Sequence, residues 1–253
     1  MKTSSVVLSS IFFITLFLSA CGTRATPPHW TYEGEEGPEH WGELDASYAV
    51  CGTGKNQSPI DIVNPSEQDL TNISFHYQPS KLKILNNGHT VQVNYDAGSY
   101  LELDNTRYDL IQFHYHAPSE HTLEGASFPA ELHIVHRNAD GNLAVVGVLL
   151  KEGSENATYQ PFILNLPAEQ TDVKVAGVTV HAMDLLPSVG TTFRYSGSLT
   201  TPPCTESVNW LLMTTPVELS AKQLTVLGSL FEGGNNRPVQ PINERVLVED
   251  NTP

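Results

Sequence analysis

Short strand-like runs separated by turn residues dominate the middle of this chain and limit the folds it can adopt. Residues 91–95 and 100–103 alternate apolar and polar side chains, which is typical of strands with one buried face. Residues 143–150 form a continuous apolar run, as expected of a central strand buried on both faces. Turn signals stand at 86–88 and 139–142. We therefore expect a single β-dominated α+β domain with short peripheral helices.

One longer helix is predicted near the C-terminus. Ser220 and Gln223 have the spacing of a capping box, in which each side chain bonds the backbone of the other residue. The apolar residues that follow at helical spacing are Leu224, Leu227, Leu230 and Phe231. Gly233 and Gly234 are predicted to end this helix.

The N-terminal residues 1–20 are predicted to be a signal peptide of the lipoprotein type. The segment starts with a positive charge at Lys2 and continues with an uncharged apolar run. Its end, Leu18-Ser19-Ala20-Cys21, is similar to the cleavage motif of bacterial lipoproteins. Cleavage there would leave Cys21 as the lipid-bearing N-terminus.

Residues 21–28 would then be a tether, and residues 29–253 the folded domain. The uncharged run over residues 3–23 is also long enough for a retained transmembrane helix, which is the alternative. In both cases we expect an exported protein of the periplasm or cell envelope, attached to the membrane only at its N-terminus.

Three cysteines in an exported chain leave one without a disulfide partner. If Cys21 carries lipid, Cys51 and Cys204 remain, and an oxidising compartment would favour a disulfide between them. Two buried free thiols are the alternative.

The charge balance argues against one class of partner. The chain has 28 Asp and Glu against 13 Lys and Arg, a net charge of −15. Because such a surface repels phosphate backbones, we expect no nucleic-acid partner. The 40% hydrophobic content excludes a disordered chain. The sequence leaves both a monomer and a homodimer open.

Two short segments that contain histidines indicate the chemistry of this chain. On a strand, alternate residues share a face, so Gln112, His114 and His116 point the same way, about 6.6 Å apart. Glu131 and His133 likewise share a face of a second predicted strand. If these strands are neighbours, three imidazoles can converge on one ion. Three neutral ligands leave the charge of Zn²⁺ intact and one position open, which is the pattern of a catalytic zinc.

Six motifs in this order resemble the α-class carbonic anhydrases along essentially the whole mature chain. They are His29-Trp30 with residues 37–42 (GPEHWG), residues 56–62 (NQSPIDI), residues 86–89 (NNGH), the two histidine strands, residues 195–204 (YSGSLTTPPC) and residues 236–241 (NRPVQP). The resemblance implies a large, twisted, mostly antiparallel central sheet. It also implies a zinc enzyme for the reversible hydration of carbon dioxide to bicarbonate and a proton, through attack by a zinc-bound hydroxide.

The resemblance also implies a role for each matching residue. The zinc ligands would be His114, His116 and His133, with Gln112 and Glu131 hydrogen-bonded to the first and the third. Thr200 would accept the hydrogen bond of the zinc-bound hydroxide, Glu120 would receive the proton of Thr200, and His89 would be the proton shuttle. The substrate site would consist of Val135, Val145, Leu199, Thr200, Thr201 and Trp210. Tyr32 would belong to the water network of the cleft, and Cys51 with Cys204 would fit the disulfide of exported members.

Two alternatives remain at this point. His114, His116 and Glu120 mimic the metal motif of the cupins, but the glycines of that motif are missing or misplaced, since Tyr108 stands near the first and Gly125 comes too early. The second alternative is a non-catalytic binding module with the carbonic anhydrase fold. Such modules usually lose a zinc histidine, whereas all three histidines stand here.

Overall fold

The computed structural model describes residues 28–252. The predicted signal peptide, the lipidation at Cys21 and all of the tether except Pro28 lie outside these residues, as does the alternative transmembrane helix. Among the described residues, no helix is long and apolar enough to cross a membrane.

The described chain consists mainly of strands. They are β1 (Asp61–Ile62), β2 (Ser66–Gln68), β3 (Ser74–His76), β4 (Ser80–Asn86), β5 (Val91–Asn94), β6 (Tyr100–Leu103), β7 (Thr106–His116), β8 (Thr122–Leu123), β9 (Ala130–Arg137), β10 (Leu143–Glu152), β11 (Thr171–Val180), β12 (Thr192–Ser198), β13 (Glu206–Met213), β14 (Val217–Leu219) and β15 (Val248–Asp250). The α-helices are α1 (Trp41–Leu44), α2 (Val50–Thr53), α3 (Gln160–Ile163) and α4 (Ala221–Gly228). Short 3₁₀ turns span Gly34–Glu36, Ala46–Tyr48 and Ala182–Leu185.

Thirteen of these strands form one sheet. Its main order is β11-β4-β5-β7-β9-β10-β13-β12-β15-β2, with β14 paired to β10, β6 to β7 and β3 to β6. Within this sheet, the pairs β10–β13, β10–β14 and β15–β2 are parallel, and the other pairs are antiparallel. The expectation of a large, mostly antiparallel sheet with short helices is confirmed.

The two faces of this sheet cover two separate hydrophobic clusters. Strand β10 lies in the middle and contributes to both. Val146 and Val148 pack into the larger cluster, which also contains α3 and α4 side chains. Val145 and Leu149 pack into the smaller cluster on the other face. The prediction that residues 143–150 form a strand buried on both faces is therefore confirmed.

Helix α4 begins as predicted but ends earlier. The capping box between Ser220 and Gln223 is present. The helix ends at Gly228, so the predicted end at Gly233 and Gly234 is wrong. Leu230 and Phe231 reach the larger cluster from the turn that follows the helix, so their burial does not need a longer helix. The two glycines have positive φ in a later turn, where a Cβ on Gly233 would meet the Glu33 carboxylate at 1.7 Å.

The predicted disulfide between Cys51 and Cys204 is present, with a Cα–Cα distance of 5.0 Å. It joins α2 to the loop between β12 and β13 and closes a segment with a sequence separation of 153 residues. Both cysteines lie in a third cluster with Trp30, Trp41 and Tyr48. Such a link typically stabilises the folded state by about 2–4 kcal/mol. It therefore anchors the N-terminal helices to the loop that carries Thr200.

Candidate metal centre

The pairing of β7 with β9 brings the predicted histidines together. His114 lies opposite His133, and His116 lies opposite Glu131. A bulge between Leu110 and Gln112 precedes this register. The ring centroids of the three histidines are 4.8–5.2 Å apart. Each of them offers a nitrogen within 4.8 Å of the others, so the three imidazoles surround one point.

The hydrogen bonds of each ring decide which nitrogen faces that point. The Nδ1 of His114 donates to Oε1 of Gln112 at 2.9 Å, and the Nδ1 of His116 donates to the Asn235 carbonyl. Both rings therefore keep Nε2 as the ligand atom. His133 is reversed, because its Nε2 donates to Oε1 of Glu131 at 2.8 Å and leaves Nδ1 free.

Glu131 is buried and receives four N–H groups. Its Oε2 accepts the backbone N–H groups of Glu120 and His121 at 3.0 and 2.8 Å. Its Oε1 accepts both His133 and the Nδ1 of His121, the latter at 2.7 Å. Burial raises the pKa of Glu131, but the two histidines outweigh it, and the pKa lies well below its usual range. His121 and Glu131 form a second cluster of ligand-type atoms with His133, but their hydrogen bonds to one another occupy those atoms.

Two properties of the three rings suit a divalent metal: the rings are uncharged, and one of their buried nitrogens has no hydrogen-bond partner. Burial lowers the pKa of His133, lowers that of His114 well below its usual value, and lowers that of His116 to about 4. All three are therefore neutral at pH 7, as metal ligands must be. Within residues 28–252 no group hydrogen-bonds to the buried Nε2 of His116. A buried polar atom of this kind needs a partner, and a metal would supply one.

An apolar wall lies beside the three rings on the same sheet face. Val135 lies opposite Val145, and Val145 lies opposite Trp210 on the next strand. These residues form one row, directly beside the row that contains His133 and Gly147. Val145 and Trp210 belong to the smaller hydrophobic cluster, and Val135 and Leu199 pack against it. The structure thus brings the predicted substrate-site side chains next to the metal centre.

Glu120 lies next to the three rings, and Thr200 lies close to Glu120. The Oε2 of Glu120 is 3.5 Å from Nε2 of His116 and 3.9 Å from Nδ1 of His133. Its Oε1 accepts the backbone N–H of Arg237 at 2.9 Å. Burial raises the pKa of Glu120 to about 7, while His133, the Arg237 N–H and a hydrogen bond from the Thr200 side chain oppose this rise.

His89 is half-buried in the wall of a surface cleft. Its ring stacks on Trp30, with centroids 3.7 Å apart, and both residues line a cleft of about 900 Å³ together with Tyr32. Tyr32 is half-buried with its hydroxyl oxygen fully buried, and burial and then the Glu120 charge raise its pKa well above the usual value. Tyr32 therefore links the cleft to the interior around Glu120. Burial, followed by the charge of His29, lowers the pKa of His89.

Sequence reasoning missed Asn235. Its carbonyl oxygen receives His116, its Oδ1 accepts the N–H of Ala117, and its Nδ2 donates to the carbonyls of His89 and Tyr115. Asn235 thus connects a ligand strand to the turn that carries His89. Its contact with the ligand uses a backbone oxygen, which any residue could supply, so no residue pattern could have identified it. Thr201 is partly exposed in the loop beside Thr200, as expected of a residue that lines an open site.

Comparison with known proteins points to one family. Residues 36–251 match the family model of eukaryotic-type carbonic anhydrases. A carbonic anhydrase of Nostoc sp. is 44% identical over 242 residues, which cover 91% of this chain and 90% of that protein.

Solved structures agree with this match. A hyperthermostable carbonic anhydrase identified from an active hydrothermal vent chimney is 49% identical with a TM-score of 0.85, covering 87% of this chain and 99% of that chain. The complex of α-carbonic anhydrase from Thermovibrio ammonificans with the inhibitor sulfanilamide is 42% identical with a TM-score of 0.85, covering 88% of this chain and all of that chain.

Replacing one of the three central histidines tests the metal centre directly. We expect His114→Asn to lose most of the bound metal, because two imidazoles hold a divalent ion much less tightly than three. Elemental analysis of the purified, dialysed protein measures this. His136→Asn is the matched control, since His136 lies on β9 with its ring bonded to Tyr77 and the Ala144 carbonyl on the other sheet face. Equal metal content in His114→Asn and the wild type would contradict the ligand role.

Proposed function

The chain belongs to the eukaryotic-type (alpha) carbonic anhydrase family, and we propose that it is an exported zinc enzyme that hydrates carbon dioxide reversibly to bicarbonate and a proton. The observation that carries this proposal is the set of three neutral imidazoles around one point beside an apolar wall. Family and fold do not support the cupin alternative. His114, His116 and His133 would hold the ion through Nε2, Nε2 and Nδ1. A zinc ion with three histidine ligands lowers the pKa of its bound water to about 7, which supplies a nucleophile at neutral pH.

Thr200 and Glu120 would set the direction of attack. A cation held by the adjacent histidines favours the ionised form of Glu120, because an opposite charge nearby lowers a carboxyl pKa. Thr200 lies close enough to Glu120 to lower the pKa of that carboxyl, and it would donate the one proton of its hydroxyl to it. Its oxygen is then an acceptor only, so it orients a hydrogen-bond donor in the site.

The apolar wall would hold the substrate. Carbon dioxide is apolar, and the side chains of Val135, Val145 and Trp210 offer it a surface without hydrogen-bond groups. The indole N–H of Trp210 donates to the Ser198 carbonyl at 3.0 Å, so it does not face the substrate as a free donor. Thr201, next to Thr200 in the same loop, would contact the polar bicarbonate product.

His89 would carry the released proton to solvent. Hydroxide at pH 7 is about 10⁻⁷ M, and a diffusion limit of roughly 10⁹–10¹⁰ M⁻¹s⁻¹ allows only about 10²–10³ proton removals per second. Faster turnover needs a closer acceptor, and histidine titrates in the right range. The lowered pKa of His89 keeps it neutral, and therefore able to accept a proton, at pH 7 and somewhat below.

A stopped-flow assay of carbon dioxide hydration tests the proposed activity. We expect the purified protein to acidify a carbon dioxide solution rapidly and to lose this activity when a chelator removes the metal. Sulfanilamide should inhibit it, because the related enzyme from Thermovibrio ammonificans forms a complex with this inhibitor. Zinc should restore the activity. Zinc content without hydration would support a non-catalytic binding module, and a protein without zinc would contradict the proposal.

The His89→Ala variant tests the proton shuttle. We expect turnover to fall about 10–100-fold, within the usual contribution of a proton-transfer group, while zinc content stays unchanged. Added imidazole should restore part of the rate because it can accept the proton from solution. The control is His76→Ala, since His76 is exposed on β3 and packs on Tyr100. If the rate of His89→Ala does not depend on buffer, another group carries the proton.

Lipid attachment at Cys21 would place the enzyme at a membrane of the cell envelope. The motif Leu18-Ser19-Ala20-Cys21 supports this proposal. In a host that processes lipoproteins, Cys21→Ala should move the protein from the membrane fraction to the soluble fraction, as measured by immunoblot. Membrane retention of the variant would instead favour an uncleaved transmembrane helix.

A further inference from the structure

Behind the third histidine ligand lies a buried chain of hydrogen bonds that the proposed chemistry does not use. Its members are Ser58, Tyr195 and His121, and we call it the hydroxyl–imidazole chain. It starts at β12 and ends at Glu131. We infer that this chain positions Glu131, and through Glu131 holds His133 with Nδ1 toward the metal, so that it slows zinc loss. This inference rests on the proposed zinc site.

The direction of every proton in the chain follows from its two ends. At one end the backbone N–H of Ser198 donates to Oγ of Ser58 at 3.1 Å, and at the other end the Glu131 carboxylate can only accept. The Ser58 proton therefore goes to the Tyr195 oxygen at 2.9 Å. The Tyr195 proton then goes to Nε2 of His121 at 2.6 Å. His121 therefore carries its proton on Nδ1, and this proton goes to Oε1 of Glu131. All donors point toward the carboxylate, an arrangement in which each bond strengthens the next.

The chain lies almost entirely out of reach of bulk water. Ser58 and His121 are fully buried, and Tyr195 is 5% exposed. Burial raises the pKa of Tyr195 well above its usual value, so its hydroxyl keeps its proton. Gly197 makes room for the chain, since a Cβ there would lie 2.1 Å from Oγ of Ser58 and 2.7 Å from the Tyr195 ring. The two hydroxyls and the imidazole therefore bond to protein groups: each other, the Ser198 N–H and the Glu131 carboxylate.

The chain restricts His133, the one of the three histidines that presents Nδ1 rather than Nε2 to the metal. His133 presents Nδ1 only while its Nε2 donates to Oε1 of Glu131, and that oxygen is the one that His121 also contacts. The two backbone N–H groups hold the other oxygen. His121 therefore fixes the rotation of the carboxylate, and the Tyr195 hydroxyl fixes His121. Without that hydroxyl, the ring of His121 and the carboxylate gain freedom to turn.

The Tyr195→Phe variant tests this inference. Phenylalanine keeps the ring that stacks parallel to Trp210, with centroids 6.2 Å apart, and removes only the hydroxyl. We expect zinc to pass to an excess of chelator about 10-fold faster than from the wild type, at the low end of the usual effect of partners around a ligand. A coloured chelator monitors the release. Ser58→Ala should change the rate in the same direction by a smaller factor, because it removes the chain's first donor.

Tyr77→Phe is a closely matched control. The Tyr77 hydroxyl is also buried and also bonds to a buried histidine, Nε2 of His136, at 2.8 Å. His136 lies on β9 like His133, but on the other face of the sheet. The variant thus removes the same kind of bond from the same region without touching the metal centre. We expect it to lose a similar amount of stability in the zinc-free protein and to release zinc at the wild-type rate.

Equal rates of zinc release from Tyr195→Phe and Tyr77→Phe would overturn the inference, since the hydroxyl would then serve stability alone. A wild-type protein that binds no zinc would overturn the proposed function instead. If Tyr195→Phe does not fold, the same comparison is made between Ser58→Ala and Tyr77→Phe, with the same reading of equal rates.

Discussion

The register between β7 and β9 is the constraint on which the site depends. It places His114 opposite His133 and aligns the ligand-bearing face of both strands. Side chains alternate along a strand, so a slip of one residue would turn one set of ligands into the opposite core. The residues next to the three histidines along the two strands prevent such a slip. Phe113 and Ile134 are completely buried in the larger cluster, and turning them toward the polar centre would remove them from it. Hydrophobic packing on one face of the sheet thus fixes the arrangement of the three histidines on the other face.

Most buried polar groups around this site have hydrogen-bond partners. Arg237 is buried, yet its guanidinium donates to Gln57, to the Ser58 carbonyl and to the Cys51 carbonyl. Within residues 28–252, the buried side-chain atoms without a hydrogen-bond partner are Tyr32 Oη, His116 Nε2, Glu120 Oε2 and Arg237 Nε. All four residues belong to the centre or border it. Because such atoms are costly to bury, the two that lie beside the three rings, His116 Nε2 and Glu120 Oε2, mark the place where a metal and its ligands would complete the hydrogen bonding.

The sequence predicted what depends on local periodicity, and the cysteine count predicted one distant contact, the disulfide between Cys51 and Cys204. Most other distant contacts could not be predicted. Period-two spacing was enough to place His114 with His116, and Glu131 with His133, on shared faces. The pairing of their strands required the tertiary structure. The end of helix α4 was predicted too late. Apolar residues continue at helical spacing to Phe231, but the helix ends at Gly228. The bond of His121 to Tyr195 joins residues 74 positions apart, so no local pattern could reveal it. The proposed roles of Thr200 and Glu120 came only from the family resemblance, because no pattern of residue spacing connects these two residues.

The fold separates the parts that must stay rigid from the part that must exchange with water. The ligands lie on two adjacent strands of a large sheet, where alternate residues pack into two cores, and a metal site needs that rigidity to keep its geometry. A proton carrier has the opposite requirement, because it must meet both the interior and solvent. His89 lies on a turn, partly exposed, held by stacking on Trp30 rather than by a hydrogen bond to its ring among the described residues. Stacking leaves both ring nitrogens free for protons, whereas each ligand histidine has one nitrogen committed to a protein acceptor. The two kinds of histidine therefore differ in their surroundings as their proposed roles require.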